Sequence, residues 1–400
     1  MIDTNSFILK YLNRKESLFA VDLENDKSLL NSFINNKSIL VIGGAGTIGS
    51  SFIKAALKFK PDKLVVVDLN ENGLTELVRD LRSIKGQYVP KEFYTYPLSF
   101  DSPIFEKLFK MRGPFDIVAN FAAHKHVRSE KDIFSIQALL ENNLIKAKSL
   151  LDILVQHPPG HFFCVSTDKA ANPVNIMGAS KKMMEELILS YSPKFKISTA
   201  RFANVAFSNG SLLEGFLKRI EKKQPLACPR DIKRFFVSYQ ESGEICLLAC
   251  ILGNTGQIFF PRLDVIKEMV NFVDILYALL EELDYQPVIC ASEEEAKNSM
   301  HLLKKKKYPV YLFESDTSGE KLYEEFYTSQ EKPDIELFNA LGILSKSPSY
   351  TIEEFGNIIV ELKNIFNNSN ISKSDIVNWL KKYVPDFEHI ETGINLDGKM

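Results

Sequence analysis

Between residues 38 and 60 the chain passes from an apolar run, SILVI, through GGAGTIG and directly into a stretch of helical period, SSFIKAALKFK. Few folds accommodate that junction. Gly43, Gly46 and Gly49 suit a tight turn, close backbone approach to a pyrophosphate, and close helix–strand packing. A helix starting there offers free N–H donors and the positive end of its dipole to phosphates, so Thr47 and Ile48 join the candidate cradle. Asp68 closes the next apolar run 19 residues after Gly49. An acid so placed accepts hydrogen bonds from adenosine ribose hydroxyls and favours NAD over NADP, although Arg79 or Arg82 could still reach a 2′-phosphate. A tight turn without a ligand is the plainer alternative, and Asp68 weighs against it.

The segments KLVVVDLN, EFYTYPLSF, FDIVANFAA, HFFCVST and KISTARFANV read as further strands. They alternate with helical stretches at NGLTELVRDLRS, SPIFEKLFKM, about 136–154 and about 177–189. Nearly all-apolar strands in this rhythm specify an α/β chain, a doubly wound parallel sheet of Rossmann type that binds ligands at the carboxyl ends of its strands. Four hundred residues exceed one ordinary core. We read 1–36 as an N-terminal helical extension and 37–206 as the dinucleotide-binding domain. Residues 207–330 read as a smaller α+β substrate lobe interleaved with that domain, and 331–400 as a mostly helical C-terminal extension.

Lys and Arg number 49 against 51 Asp and Glu, a balance that argues against a nucleic-acid binder. No apolar run reaches the length of a membrane span, and no basic segment followed by an apolar core opens the chain, so a cytoplasmic protein is expected. Five scattered cysteines suggest buried, reduced thiols. Cys246 and Cys250 stand four apart, but no further ligands cluster with them, so no metal is expected. The four lysines at 304–307 read as a solvated face.

The reactive segment is FFCVSTDKAANPVNIMGASKK, from Phe162. A strand ends in Ser166-Thr167-Asp168-Lys169, where chemistry is expected in such a sheet. Met177 and Lys181 follow on one helical face. Taken singly, Asp168 reads as a cap and Lys169 as surface charge; together beside a nucleotide turn they read as a site. With the glycine turn and the chain length, the Thr167, Met177 and Lys181 triplet resembles an extended short-chain dehydrogenase/reductase. AAHKHV (122–127), STDKAANPVNIMGASK (166–181), RFANVAFSNGSLL (201–213), KRFF (233–236) and SGEKLYEE (318–325) are similar, in that order, to the bacterial nucleotide-sugar 4,6-dehydratases of polysaccharide biosynthesis. FILKYLNR (7–14) and LKKYVPDF (380–387) extend the likeness to the lead-in and closing helix of their long, membrane-anchored members, of which this chain looks like a soluble version.

The resemblance implies a tightly held NAD (or NADP) that is regenerated at every turnover. It takes hydride from sugar C4 and returns it to C6 after water is lost across C5 and C6. Asp168 would protonate the leaving C6 hydroxyl, Lys169 would take the C5 proton, and Thr167 would bond the C4 oxygen. Lys169 would then have to titrate near neutrality. Lys181 would grip the nicotinamide ribose, and Met177 stands where the wider superfamily has tyrosine. Asn70, Asp101, Ala122, Ala123 and Asn143 would complete the cofactor contacts. Lys125, Asn204, Ser208, Ser211, Arg234, Glu320 and Lys321 would contact a nucleotide-diphosphate sugar, UDP-N-acetylglucosamine or a close relative. His124 and His126 read as loop and packing residues.

The chain departs from the family pattern at Ile42 (usually Thr), at Pro97-Leu98 (usually Gly-Asp), and at Arg128-Ser129-Glu130-Lys131 (usually Pro and an apolar loop). The lead-in points to retention at C5, and the superfamily's habit of pairing through two long helices implies a homodimer or a multiple of it. Two alternatives stay open: a nucleotide-sugar 4-epimerase, which has no use for an Asp-Lys pair, and a catalytically idle NAD-binding module.

Overall fold

The structure, a computed structural model, describes residues 2–316, 318, 319, 321 and 323–394. Helices α1 (Thr4–Tyr11), α2 (Ala20–Asn25) and α3 (Lys27–Ile34) precede the sheet. Then β1 (Ser38–Ile42), α4 (Thr47–Leu57), β2 (Lys63–Asp68), α5 (Glu71–Ser83), β3 (Glu92–Pro97), α6 (Pro103–Arg112) and β4 (Ile117–Asn120) alternate. After β4 come α7 (Ile133–Leu140), a π-helical turn (Glu141–Lys146), α8 (Ala147–Gln156), β5 (His161–Val165), α9 (Ile176–Ser190) and β6 (Lys196–Ala200). The second part holds β7 (Asn204–Val205), α10 (Leu212–Glu221), β8 (Leu226–Pro229), β9 (Lys233–Val237), α11 (Tyr239–Leu252) and β10 (Gln257–Pro261). It continues with α12 (Val265–Glu268), β11 (Met269–Asn271), α13 (Phe272–Glu282), β12 (Gln286–Cys290), α14 (Glu293–Asn298), β13 (Lys307–Phe313), β14 (Leu341–Ser345), α15 (Ile352–Phe366) and α16 (Lys373–Tyr383).

Among the described residues the main sheet has eight strands in the order β14-β10-β6-β5-β4-β1-β2-β3. All pair in parallel except β14, which runs antiparallel to β10. The order turns back at β1, between β4 and β2, which is where such sheets open a ligand crevice. The doubly wound expectation holds. Alternate residues of β1 and β2 feed opposite cores. Val41 and Val66 join α3, α4, α5 and α11, while Leu40 and Val65 join α6 to α9. Two small three-stranded sheets, β11-β9-β7 and β12-β13-β8, make the second lobe. Between α12 and α13, β11 pairs with β9.

The C-terminal helices are not an appendage. α15 and α16 pack on α9 through Phe355, Ile359, Trp379 and Leu380. Every residue of α9 except Lys182 is buried. At the other end, Arg14 of the lead-in binds the Phe236 carbonyl at 3.1 Å, Glu241 at 2.9 Å and Glu268 at 3.2 Å, docking α1 on the second lobe. All five cysteines are buried free thiols. No helix of the described residues is long and apolar enough to cross a membrane.

His161 on β5 is buried, with Nε2 at 2.8 Å from the Ser198 hydroxyl, which itself donates to the Ala249 carbonyl at 2.7 Å. Burial, helped by Lys196, lowers its pKa from 6.5 to about 3. Between those values the unfolded chain takes up a proton that the folded chain refuses. Stability should therefore fall as pH drops below 6.5 towards 3, by up to about 1.4 kcal/mol per pH unit. His161→Gln keeps a donor for Ser198 and should flatten this limb in thermal melts; identical slopes in the two proteins would refute the assignment.

Candidate active site

The glycine turn is built backbone against backbone. Gly43 has φ +76°, and a Cβ on it would lie 2.6 Å from the Ala122 nitrogen. A Cβ on Gly49 would lie 2.3 Å from the Gly43 carbonyl. Gly46 is different: a Cβ there meets nothing nearer than that carbonyl at 3.4 Å, and its backbone is extended. Packing thus requires the first and third glycines, while the middle one leaves open the space a pyrophosphate would fill. No side chain caps the amino end of α4. Asp68 accepts from the Ala45 amide and the Asn70 amide, both at 2.9 Å, and Asn70 caps α5 through Gly73. These residues fit a dinucleotide. Gly46→Ala should melt near wild type yet weaken dinucleotide binding by about tenfold, or ~1.4 kcal/mol, by calorimetry. Gly49→Ala should lose fold stability first.

Ala122 and Ala123 follow β4 over this turn. Asn143 holds the loop from the π-helical turn, a feature common at functional sites. Its Oδ1 accepts from the His124 amide at 2.9 Å, and its Nδ2 donates to the His124 carbonyl at 3.0 Å and to Ser180 at 3.1 Å. Thr47 accepts from the Asn209 amide at 3.1 Å, and the Gly210 backbone abuts the His126 ring. The AAHKHV and AFSNGS loops therefore face each other over the cofactor end of the sheet, with Lys125 exposed at the rim and Ser208 buried.

Beyond β5, Thr167 opens a short 3₁₀ turn (Asp168–Ala170). Its hydroxyl donates to Asp168 Oδ1 at 2.7 Å. The same oxygen receives the Lys169 amide at 2.8 Å and the Lys169 ammonium at 3.1 Å. A second carboxylate lies behind the lysine: Glu324 Oε1 is 3.5 Å from Lys169 Nζ and 3.9 Å from Arg234 Nη2. Asp168 is 3% and Glu324 4% exposed. Burial disfavours the Lys169 ammonium, but Asp168 and Glu324 outweigh it, and the pKa is raised. The expected near-neutral titration of Lys169 is therefore corrected: two carboxylates keep the resting lysine charged. Burial also raises the pKa of Glu324.

Lys181 is buried, donates to the Val165 carbonyl at 2.8 Å, and is held below the usual lysine value by burial. Met177 packs in the apolar core, and its amide donates to Glu130 at 3.2 Å. Asp101 pairs with Lys146 at 3.4 Å, and Ser211 caps α10. Arg234 donates to the Lys321 carbonyl at 2.9 Å, tying KRFF to the SGEKLYEE segment; Glu320 lies outside the described residues. Asn204 Nδ2 is buried without a partner among the described residues, a donor suited to a ligand acceptor. Glu130, in the loop that departs from the family, is buried and paired with His389 at 3.2 Å. Sequence reasoning missed Glu324. Its one signal was its place inside SGEKLYEE.

Comparisons with known proteins bear on the family and the fold. A family model described as "Polysaccharide biosynthesis protein" matches residues 39–344. An uncharacterized membrane protein of Methanocaldococcus jannaschii is 34% identical over 64% of this chain and 74% of its own. The capsular polysaccharide biosynthesis protein CapD of Staphylococcus aureus is 28% identical over 91% of this chain, which spans only 57% of that relative. The inverting UDP-N-acetylglucosamine 4,6-dehydratase of Campylobacter jejuni is 25% identical over 63% of this chain and 73% of its own. Among solved structures, Pen from Bacillus thuringiensis aligns with a TM-score of 0.64 at 20% identity, covering 88% of this chain and 98% of that one. UDP-glucose 4-epimerase of Thermotoga maritima aligns at 0.54 with 18% identity, over 83% and 100%. Spanning both lobes from β1 to β14, the family match shows that the chain belongs to the polysaccharide biosynthesis protein family, on the extended short-chain dehydrogenase/reductase fold.

Proposed function

We propose that this protein is a nucleotide-sugar 4,6-dehydratase acting on UDP-N-acetylglucosamine or a close relative. The observation that carries the reading is the hydrogen bond from Thr167 to Asp168, with Lys169 on the same carboxylate oxygen. Gly43, Gly46, Gly49, the amino end of α4 and Asp68 hold the dinucleotide, and Asn143 fixes the loop above it. Bound there, an NAD-type cofactor supplies hydride acceptance from sugar C4 and hydride return to C6, with a C4 ketone acidifying C5 in between.

Thr167 and Asp168 account for the C4 hydroxyl proton although Met177 cannot carry one. The hydroxyl donates to Thr167, whose own proton passes to Asp168. Asp168 is then a neutral acid and gives that proton to the C6 oxygen as water leaves. Lys169, as the neutral amine, takes the C5 proton and returns it to C5 when hydride arrives at C6. Asp168 and Lys169 end as they began, and one water is lost. Arg234, Lys125 and the orphaned Asn204 amide suit the diphosphate and sugar.

Incubation with UDP-N-acetylglucosamine and mass spectrometry tests the reading. Loss of one water is expected. An isomer of unchanged mass would replace it with a 4-epimerase, for which the Asp-Lys pair has no use.

A further inference from the structure

We propose that Glu324 is the proton partner of Lys169: a buried carboxylate that takes the ammonium proton within the site, so that the neutral amine forms without exchange with bulk water. The proposal rests on the dehydratase reading for the step it serves, removal of the C5 proton.

The geometry supplies the reason. Glu324 Oε1 is 3.5 Å from Lys169 Nζ, while Oε2 is buried with no partner among the described residues. A carboxylate oxygen left bare in the interior costs least when the group is protonated. The charged groups facing the pair are Asp168 from the 3₁₀ turn, Arg234 from β9, and Lys321 from Glu324's own segment. The segment is anchored independently at both ends. Arg234 binds the Lys321 carbonyl at 2.9 Å, and Arg201 binds the Phe326 carbonyl at 3.0 Å.

The protons balance as follows. In the resting pair Lys169 is an ammonium and Glu324 a carboxylate. When the C4 hydroxyl proton reaches Asp168, that carboxylate becomes neutral and no longer helps to hold the ammonium charge. The Lys169 proton then moves to Glu324, the freed amine takes the C5 proton, and Asp168 releases its own to the departing water. Return of a proton from Lys169 to C5, and of the stored proton from Glu324 to Lys169, restores the start. Because the pair carries one proton up to the moment the C5 proton is taken, the neutral-amine form is available at a fraction independent of bulk pH.

That independence is the test. Wild-type water loss should be nearly flat with pH around neutrality. Glu324→Gln should lower it by about tenfold or more near neutral pH, with little change in KM, and the rate should rise with pH because Lys169 must now lose its proton to solvent. Glu324→Asp should restore a flat profile. An equal loss at every pH, unrescued by Asp, would mean a structural role only, and an unchanged rate and profile would also overturn the proposal. A second readout needs no turnover: labelling of Lys169 by an amine-reactive anhydride, followed by mass spectrometry across pH. Glu324→Gln should move the onset of reactivity down by about one pH unit or more. No shift overturns the pairing whatever the substrate is, whereas a shift in a protein that never dehydrates a sugar faults the proposed function alone. Should the Gln variant not fold, Glu324→Asp decides: slower water loss with a flat profile is expected, and wild-type rates overturn the proposal.

Discussion

Lys169→Ala is expected to lower water loss from the nucleotide sugar by about a thousandfold, within the range general acid–base groups supply, while C4 oxidation persists. The variant leaves Thr167 and Asp168 in place, 2.7 Å apart, so the C4 hydroxyl proton keeps its route. What disappears is the acceptor for the C5 proton. Reduced cofactor should therefore accumulate on mixing with substrate, visible by its near-ultraviolet absorbance, and the sugar should keep its mass. Full dehydration by this variant would remove Lys169 as the base. Failure to reduce the cofactor at all would place the lysine in the oxidation step instead.

The largest effect on stability is expected at Arg201. It is fully buried just past the carboxyl end of β6, forked onto Glu185 at 2.8 and 2.7 Å and onto Glu331 at 3.0 and 3.2 Å. Burial works against the Glu185 charge, yet Arg201 prevails and holds the carboxyl at about 2. Arg201→Met strands that carboxylate and should cost about 3–5 kcal/mol by denaturant unfolding. The double variant Arg201→Met, Glu185→Met removes both charges and should recover most of the loss. A single-variant cost below about 1 kcal/mol would show that the pair is not the anchor described. Glu185 also accepts from Ser166 at 2.6 Å, directly before Thr167, so activity should suffer along with stability.

The sheet and its glycine turn were legible because their determinants are local: apolar runs, helical period and three glycines at fixed spacing. What escaped depends on distant partners. Leu226–Pro229 and Gln286–Cys290 are short strands carrying proline, and each is a strand only because β13 lies beside it. Leu341–Ser345 sat unnoticed in a tail read as helical, yet it closes the main sheet against β10. The Thr167, Asp168 and Lys169 triplet was legible as a strand end. Its electrostatics were not, since Glu324 stands 155 positions beyond Lys169 and no local pattern links the two. Nor could spacing show the local partners of Asp101 and Ser211, which are Lys146 and the amino end of α10.

After α16 the chain crosses back over the loop that leads into α9. The Glu388 and Ile390 amides bond the Pro173 and Val174 carbonyls, while the Gly319 and Ser318 amides bond the Ile390 and Ile394 carbonyls. Residues 388–394 thus stitch the loop before α9 to the stretch leading into Glu324. A cleavage just past Phe387 would act on turnover as an engineered change in the pocket does, and an assay of a trimmed preparation would measure a different enzyme.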